Sequence, residues 1–143
     1  MEIIKKILFV LRTFVLFVWQ LPQTLIGALS LIIFEPTHIL LAKNRVRVCY
    51  SKRLKGGSYS LGQVVVMPIW YYRHDATDAL ELATAKHEYL GHGRQSLVLG
   101  WFYLFVIAVP SLIHAAIHGR NAKCEGKPYN HFYTEKWAEK WAK

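Results

Sequence analysis

Cysteine is scarce in this chain, since Cys49 and Cys124 are the only two among 143 residues. This excludes a disulfide-rich scaffold and a multi-thiolate zinc site, and we favour two reduced thiols over one disulfide. Acidic residues are also few, with 9 Asp and Glu against 18 Lys and Arg, a formal net charge of +9. The sequence has no internal repeat, no Gly-rich phosphate loop and no Ser nucleophile elbow.

The composition is both apolar and basic. Hydrophobic residues make up 53% and charged residues 19%, which excludes intrinsic disorder, and the length favours a single domain. Basic charge with 5 Trp, 8 Tyr and 7 Phe is typical of a protein at a bilayer with anionic headgroups. We expect headgroup contact and no nucleic-acid partner for the basic cluster Lys43, Arg45, Arg47, Lys52, Arg53 and Lys55.

Two apolar segments dominate the chain. Residues 7–34 are too long for a signal-peptide core and are interrupted at Pro22, where a kink or break is predicted. They form either a tilted, kinked transmembrane helix or two half-length helices in one leaflet. Residues 96–117 would make a helix about 33 Å long, just enough to span a bilayer, although Gly100 and Pro110 can break it.

The middle of the chain, 43–94, predicts strands and a helix. Residues 46–50 alternate with period two, as in a half-buried strand, and residues 60–67 predict a second strand that ends at Pro68. The turn signal at residues 55–57 joins the two strands into a small hairpin. Acidic residues at 75–78 predict the start of a helix over 79–89. We therefore predict one α+β domain, 1–143, with a basic tail from 118 that becomes helical near 134–142.

The stretch from Lys86 to Ser96 resembles the zincin signature HExxH, with one extra residue. The second histidine, His92, is five positions after His87, which places it about 140° round a regular helix instead of about 40°. A π-bulge that absorbs Leu90 would bring both rings to one side. Deleting Leu90 is then expected to keep or raise zinc affinity.

Residues 132–139, FYTEKWAE, resemble the third-ligand helix of gluzincin-type enzymes. With the first motif, they resemble a group of small bacterial membrane proteins that combine HEYGH with FYTEKWAD. The chain differs from that pattern at Leu90 and at Glu139, which replaces Asp. The resemblance implies Zn²⁺ bound by His87, His92 and Glu135, with Glu88 as general base. It also implies that Glu139, one turn after Glu135, braces a ligand from behind.

Other histidines are weaker metal candidates. His114 and His118 are four residues apart at the end of the second apolar segment, a spacing that permits shared metal binding. Polar tips at a membrane interface explain this pair more simply. His131 is near Glu135 in sequence and is the best reserve ligand.

These motifs predict a membrane-associated zinc metallopeptidase with a minimal zincin-like arrangement and a peptide or protein substrate, which could pair with the strand at 60–67. The alternatives are a non-enzymatic membrane protein with a structural metal or polar cluster, and a membrane-tethered nucleic-acid binder. His87 and Glu135 cannot bind the same metal ion if residues 96–117 cross the bilayer and place them on opposite sides. We therefore expect a monotopic protein on the cytoplasmic face of the bacterial inner membrane, with oligomers possible and a soluble protein as the lesser alternative.

Overall fold

A computed structural model describes residues 2–41, 47–72, 78–118 and 126–143. The α-helices are α1 (Glu2–Trp19), α2 (Leu21–Phe34), α3 (Ile69–Tyr72), α4 (Asp78–Lys86), α5 (Gly93–Leu99), α6 (Val109–Ile117) and α7 (Tyr133–Ala142). The strands are β1 (Pro36–Leu41), β2 (Arg47–Ser51), β3 (Tyr59–Leu61) and β4 (Val64–Pro68). Two π-helices, His87–His92 and Leu104–Ala108, and two 3₁₀ turns, Gly100–Phe102 and Tyr129–His131, complete the described elements. The architecture is α+β, as predicted.

The first apolar segment breaks where the sequence predicted. Helix α1 ends at Trp19, α2 begins at Leu21, and the two are bent by 79° relative to each other. Pro22 lies in the first turn of α2, where its missing N–H would have no helical partner in any case. The N-terminal part of the chain is therefore a bent pair of helices.

The four strands form one mixed sheet in the order β1-β2-β4-β3. Strand β2 pairs parallel to β4, whereas β1 is antiparallel to β2 and β3 to β4. The predicted hairpin between 46–50 and 60–67 is therefore wrong. The tight turn is at Gly62–Gln63, where Gly62 has φ +63° and the second predicted strand splits into β3 and β4. The strand β1 was not predicted.

The central strands β2 and β4 are buried on both faces, so the expectation of a half-buried strand is also wrong. One face carries Cys49, Val64 and Val66, which pack against α2. The opposite face packs against α3, the end of α4 and the first π-helix through Val48, Tyr50, Val65, Met67, Tyr71, Ala85 and Tyr89. A strand between two layers of helices has no solvent face and loses the alternation of polar residues.

A continuous helical run crosses the His-Glu motif. Helix α4, the π-helix His87–His92 and α5 follow one another without a break, which confirms the helix predicted over 79–89. Of the predicted acidic start, Asp78 is the first residue of α4, and residues 75–77 lie outside the described ranges. The motif therefore lies within a helix that packs on the sheet.

The second apolar segment is not a straight helix. Gly100 has φ +52°, a left-handed value that ends α5. The run Leu82–Phe102 is then bent by 118° from Leu104–Ile117, while Pro110 is accommodated in the first turn of α6. The predicted 33 Å helix is therefore wrong. Among the described helices none is by itself long and apolar enough to cross a membrane, and each bent pair meets that test only when its two halves are counted together.

Candidate metal centre

The π-helix turns His87 and His92 toward each other. The N–H of Gly93 donates to the carbonyl of Glu88, five residues earlier, which is the hydrogen bond that defines a π-turn. The two imidazole rings have centroids 5.0 Å apart and meet edge to face at 84°. The π-bulge, which the sequence left open, is therefore present at this motif.

Helix α7 brings Glu135 to the two histidines. Its Oε2 lies 3.2 Å from His87 Nε2 and 3.4 Å from His92 Nε2. Tetrahedral zinc with bonds of about 2.0 Å separates neighbouring ligand atoms by about 3.3 Å. One ligand atom from each residue lies within 4.8 Å of the others. The three side chains that the sequence predicted as ligands therefore meet at one point and could hold a metal ion.

Gly91 sets how closely α7 approaches. A Cβ at this position would lie 2.6 Å from the carbonyl oxygen of Ala138, closer than any side chain permits. Gly91 occupies the place of the second histidine in the regular signature. In this protein Gly91 contacts the backbone of α7 at Ala138, and the extra residue in the motif places the second histidine at position 92.

Hydroxyl groups orient Glu135 from behind. Its Oε1 accepts hydrogen bonds from Ser111 Oγ at 2.5 Å and from Thr134 Oγ1 at 3.1 Å, which leaves Oε2 for the histidines. The bracing role predicted for Glu139 does not match this geometry, because Glu139 is exposed and accepts a hydrogen bond from Asn130. The packed face of α7 runs through Thr134, Glu135 and Ala138, and position 139 is about 100° beyond Ala138.

Gln95 orients the ring of His92. Its Nε2 donates to the carbonyl of Thr134, so its Oε1 faces His92 Nδ1 at 2.7 Å and accepts a hydrogen bond from that nitrogen. When the ring is neutral, the lone pair of His92 is then on Nε2, the nitrogen that faces Glu135. A histidine that binds a metal through one nitrogen usually donates a hydrogen bond from its other nitrogen, as His92 does to Gln95.

The electrostatics of the site match a cationic occupant. Burial alone would lower the pKa of His92, but its contact with Glu135 and the negative charge of Glu88 raise it above the ordinary value. Burial would likewise raise the pKa of Glu135, but hydrogen bonds from His87 and His92 lower it well below the usual range. Without a metal, positive charge on the ring of His92 offsets the negative charge of the carboxylates, and a bound cation would supply the same positive charge.

Glu88 lies beside this cluster with one oxygen unpaired. Its Oε1 accepts a hydrogen bond from Ser58 at 2.8 Å, whereas its buried Oε2 has no hydrogen-bond partner among the described residues. The Glu88 side chain is close enough to His92 for its charge to raise the pKa of that ring. A buried oxygen without a partner marks a place for a water molecule, an ion or a reacting group.

Access to the cluster is from the side of His87. The side chain of His87 is 22% exposed, against 8% for His92 and 4% for Glu135. The edge strand β3 contacts the π-helix His87–His92, and the carbonyl of Ser60 on this strand accepts a hydrogen bond from the hydroxyl of Tyr103. Strand addition, predicted for residues 60–67, is not available to β4, because β4 lies between β2 and β3.

The reserve candidates His114, His118 and His131 do not join Glu135. One ring nitrogen from each lies within 4.8 Å of the others, so they form a second group that could hold a metal ion. The sequence spacing indicated the pair on α6 but gave no sign that His131 lies against it. Likewise, no pattern marked Ser111 or Ser58, because their roles depend on contacts between separate elements.

No family model matches the chain, and no curated protein or solved structure is similar enough to count as a match. The resemblance to the bacterial HEYGH proteins therefore stays a prediction. The functional argument depends on the geometry of the site itself.

Proposed function

We propose that the chain is a zinc-dependent hydrolase of the zincin type, a metallopeptidase. The observation that carries this proposal is the unpaired, buried Oε2 of Glu88 beside the ligand set His87, His92 and Glu135. A structural zinc site is usually closed by four protein ligands, whereas a catalytic site has three and leaves one position open. Two histidines, one glutamate and an adjacent free carboxylate oxygen fit the catalytic pattern.

In this proposal each side chain has a separate task. His87, His92 and Glu135 hold the ion, while Gln95 and Ser111 keep two of these ligands in position. Zinc supplies Lewis acidity, which polarises a substrate carbonyl and makes water acidic enough to react near neutral pH. Glu88 Oε2 accepts the proton from the attacking water and passes it to the leaving amine.

We propose a peptide or protein as substrate, because the motif has both the general base and the metal ligands that zincin peptidases use to hydrolyse peptide bonds. It would enter on the side of His87. The non-enzymatic alternative, a structural metal or polar cluster, has the same three ligands but gives Glu88 no role in proton transfer. Replacing Glu88 therefore distinguishes the two.

We also propose that the protein lies in one leaflet at the cytoplasmic face of the bacterial inner membrane. None of the residues of α1 is buried, and Ile3 is 73% exposed. Large apolar side chains at the second bend are similarly exposed, with Phe105 at 73% and Leu112 at 71%. A surface of this size favours lipid over water. Lys5, Lys6 and Arg12 on α1 would contact anionic headgroups.

The enzymatic proposal is tested with zinc-loaded full-length protein, prepared without a histidine tag, and a fluorogenic peptide library. We expect Glu88→Gln to retain zinc and to lose hydrolysis by about 10²–10⁴-fold, because it removes only the proton acceptor. Glu139→Gln is the matched control, since Glu139 is exposed on the same helix as a ligand, and it should keep both properties. Zinc-loaded wild-type protein that hydrolyses no peptide would favour the structural alternative, and hydrolysis that persists in Glu88→Gln would contradict the role of Glu88 as proton acceptor.

The membrane proposal has its own test. Cells expressing the chain are fractionated and the membranes are washed with salt and with carbonate. Retention after both washes supports insertion of the apolar surfaces. A thiol placed at Ser58 should be shielded from a reagent outside intact cells, and labelling there would contradict the cytoplasmic orientation.

A further inference from the structure

A second group of histidines lies apart from the candidate catalytic centre. His114 and His118 extend from one face at the end of α6, and His131 is in the 3₁₀ turn that precedes α7. The ring centroid of His114 lies 5.0 Å from that of His118 and 5.1 Å from that of His131. Three imidazoles from two segments therefore converge within reach of a single ion.

Backbone carbonyls fix which nitrogen of two rings is free. His114 Nε2 lies 3.0 Å from the carbonyl of Tyr129, and His131 Nδ1 lies 2.8 Å from the carbonyl of Pro128. A carbonyl only accepts, so these two nitrogens carry the protons. The lone pairs are then on His114 Nδ1 and His131 Nε2. Histidine ligands of metals use the same arrangement, in which the second nitrogen donates to a backbone oxygen.

The third ring has an unsatisfied buried nitrogen. His118 Nδ1 is shielded from solvent and has no hydrogen-bond partner among the described residues. A buried polar atom without a partner is unfavourable, so this nitrogen favours a ligand that can pair with it. His118 as a whole is partly buried, but its Nδ1 faces the protein and not the solvent.

We propose that His114, His118 and His131 bind a second divalent transition-metal ion. Three neutral imidazoles suit Zn²⁺, Ni²⁺ or Cu²⁺, whereas Mg²⁺ and Ca²⁺ prefer the carboxylate and carbonyl oxygens that these three side chains lack. The second site shares no ligand with His87, His92 and Glu135, so it does not depend on the proposed hydrolase activity.

An ion at this position would tie two parts of the chain together. It would join the end of α6 to the turn that leads into α7, the helix that carries Glu135. The ring of His114 already stacks on Phe132 at a centroid distance of 4.4 Å and an interplanar angle of 11°. The second ion would thus fix the start of α7.

Zinc stoichiometry of the full chain tests this proposal. Metal-free protein without a histidine tag is titrated with Zn²⁺ alone in competition with a chromophoric chelator, and bound zinc is measured by elemental analysis. We expect one ion for each histidine cluster. His118→Gln should remove one ion and leave the other, and His87→Gln should do the same at the first site. The double variant should bind none.

Two further variants keep the result interpretable. His131→Gln changes a partly exposed turn residue and should also remove one ion without unfolding the protein, as circular dichroism would show. His38→Gln is the matched control, because His38 is an exposed histidine on β1, outside both clusters. A wild-type chain that binds one ion, lost in His87→Gln and kept in His118→Gln, would overturn the proposal. Loss of both ions in His38→Gln would show that the removal is not specific and would also overturn it.

Discussion

Gly91 and Ala138 touch backbone to backbone, because a Cβ on Gly91 would lie 2.6 Å from the Ala138 carbonyl oxygen. This contact joins the π-helix that carries two of the candidate ligands to α7, which carries the third. The histidine that a regular zincin signature places at this position would collide with α7. The additional residue in the motif and the close approach of α7 are therefore parts of one arrangement.

Gly91→Ala should weaken metal binding. The added methyl group has to push α7 outward, which moves Glu135 away from the histidines and costs about 1–3 kcal/mol of stability. We expect zinc affinity to fall by about tenfold or more, measured by chelator competition. Gly93→Ala is the matched control, because a Cβ there meets only the Glu88 carbonyl oxygen at 3.9 Å. Equal losses in both variants would contradict the steric explanation.

Deleting Leu90 restores the spacing His-Glu-x-x-His, and the sequence alone predicted that zinc affinity would survive or rise. The structure reverses this expectation. The deletion moves the second histidine to the place of Gly91, against the Ala138 backbone. We now expect zinc binding and thermal stability to fall together. The conservative substitution Leu90→Met keeps the chain length and should retain both, and an increased affinity in the deletion would refute the packing argument.

Gln95→Leu should lower zinc affinity by about 10–100-fold, since the ring of His92 loses the acceptor that fixes its tautomer. Gln23→Leu is a suitable comparison. Gln23 is also a fully buried amide, but it donates to Ser96 and to the Gly100 carbonyl, away from the ligands. The variant Gln23→Leu should lower the stability of the protein without a comparable loss of zinc affinity. Similar affinities in the two variants would argue against an orienting role for Gln95.

The stabilisation by zinc should increase with pH. In metal-free protein, the raised pKa of His92 adds stability that is complete below its unfolded value of 6.5 and is lost as pH rises through the folded pKa. The lowered pKa of Glu135 adds stability above 4.5, which is lost as pH falls through its folded pKa. The pair therefore stabilises the metal-free chain most between these two values.

Zinc requires neutral histidines, so its binding opposes the same protonation. We expect the difference in Tm between zinc-saturated and chelator-treated protein to grow from about pH 6 to about pH 8. Differential scanning fluorimetry in the two buffers measures it. A difference that is constant or that shrinks over this range would contradict zinc ligation by His92. His38→Gln should leave the trend unchanged.

The parts of the site that depend on local spacing could be predicted from the sequence. The five-residue interval between His87 and His92 allows a shared ion if the helix bulges, and a π-turn provides that bulge. The break near Pro22 is local in the same sense, since proline acts on its own turn. These features needed no knowledge of distant contacts.

The remaining features depend on which elements meet. The turn signal at residues 55–57 is compatible with a hairpin, but β4 inserts between β2 and β3 because all its side chains are apolar enough to be buried on both faces. Likewise, Ser111 and Glu135 are on different helices, and only the bend at Gly100 folds α6 back toward α7. Period and motif analysis has no access to such long-range pairings.

The two bends of the chain hold each other in place. Trp19 Nε1 donates to the Leu97 carbonyl across 78 residues of sequence, and Trp101 Nε1 donates to the Val18 carbonyl across 83. During synthesis, α1 and α2 leave the ribosome long before either partner exists, so their corner cannot be completed until the last third of the chain has been made. Contacts at such separations are slow to form because they close long loops. Helices α1 and α2, though translated before their partners, should therefore be among the last elements to reach their final position.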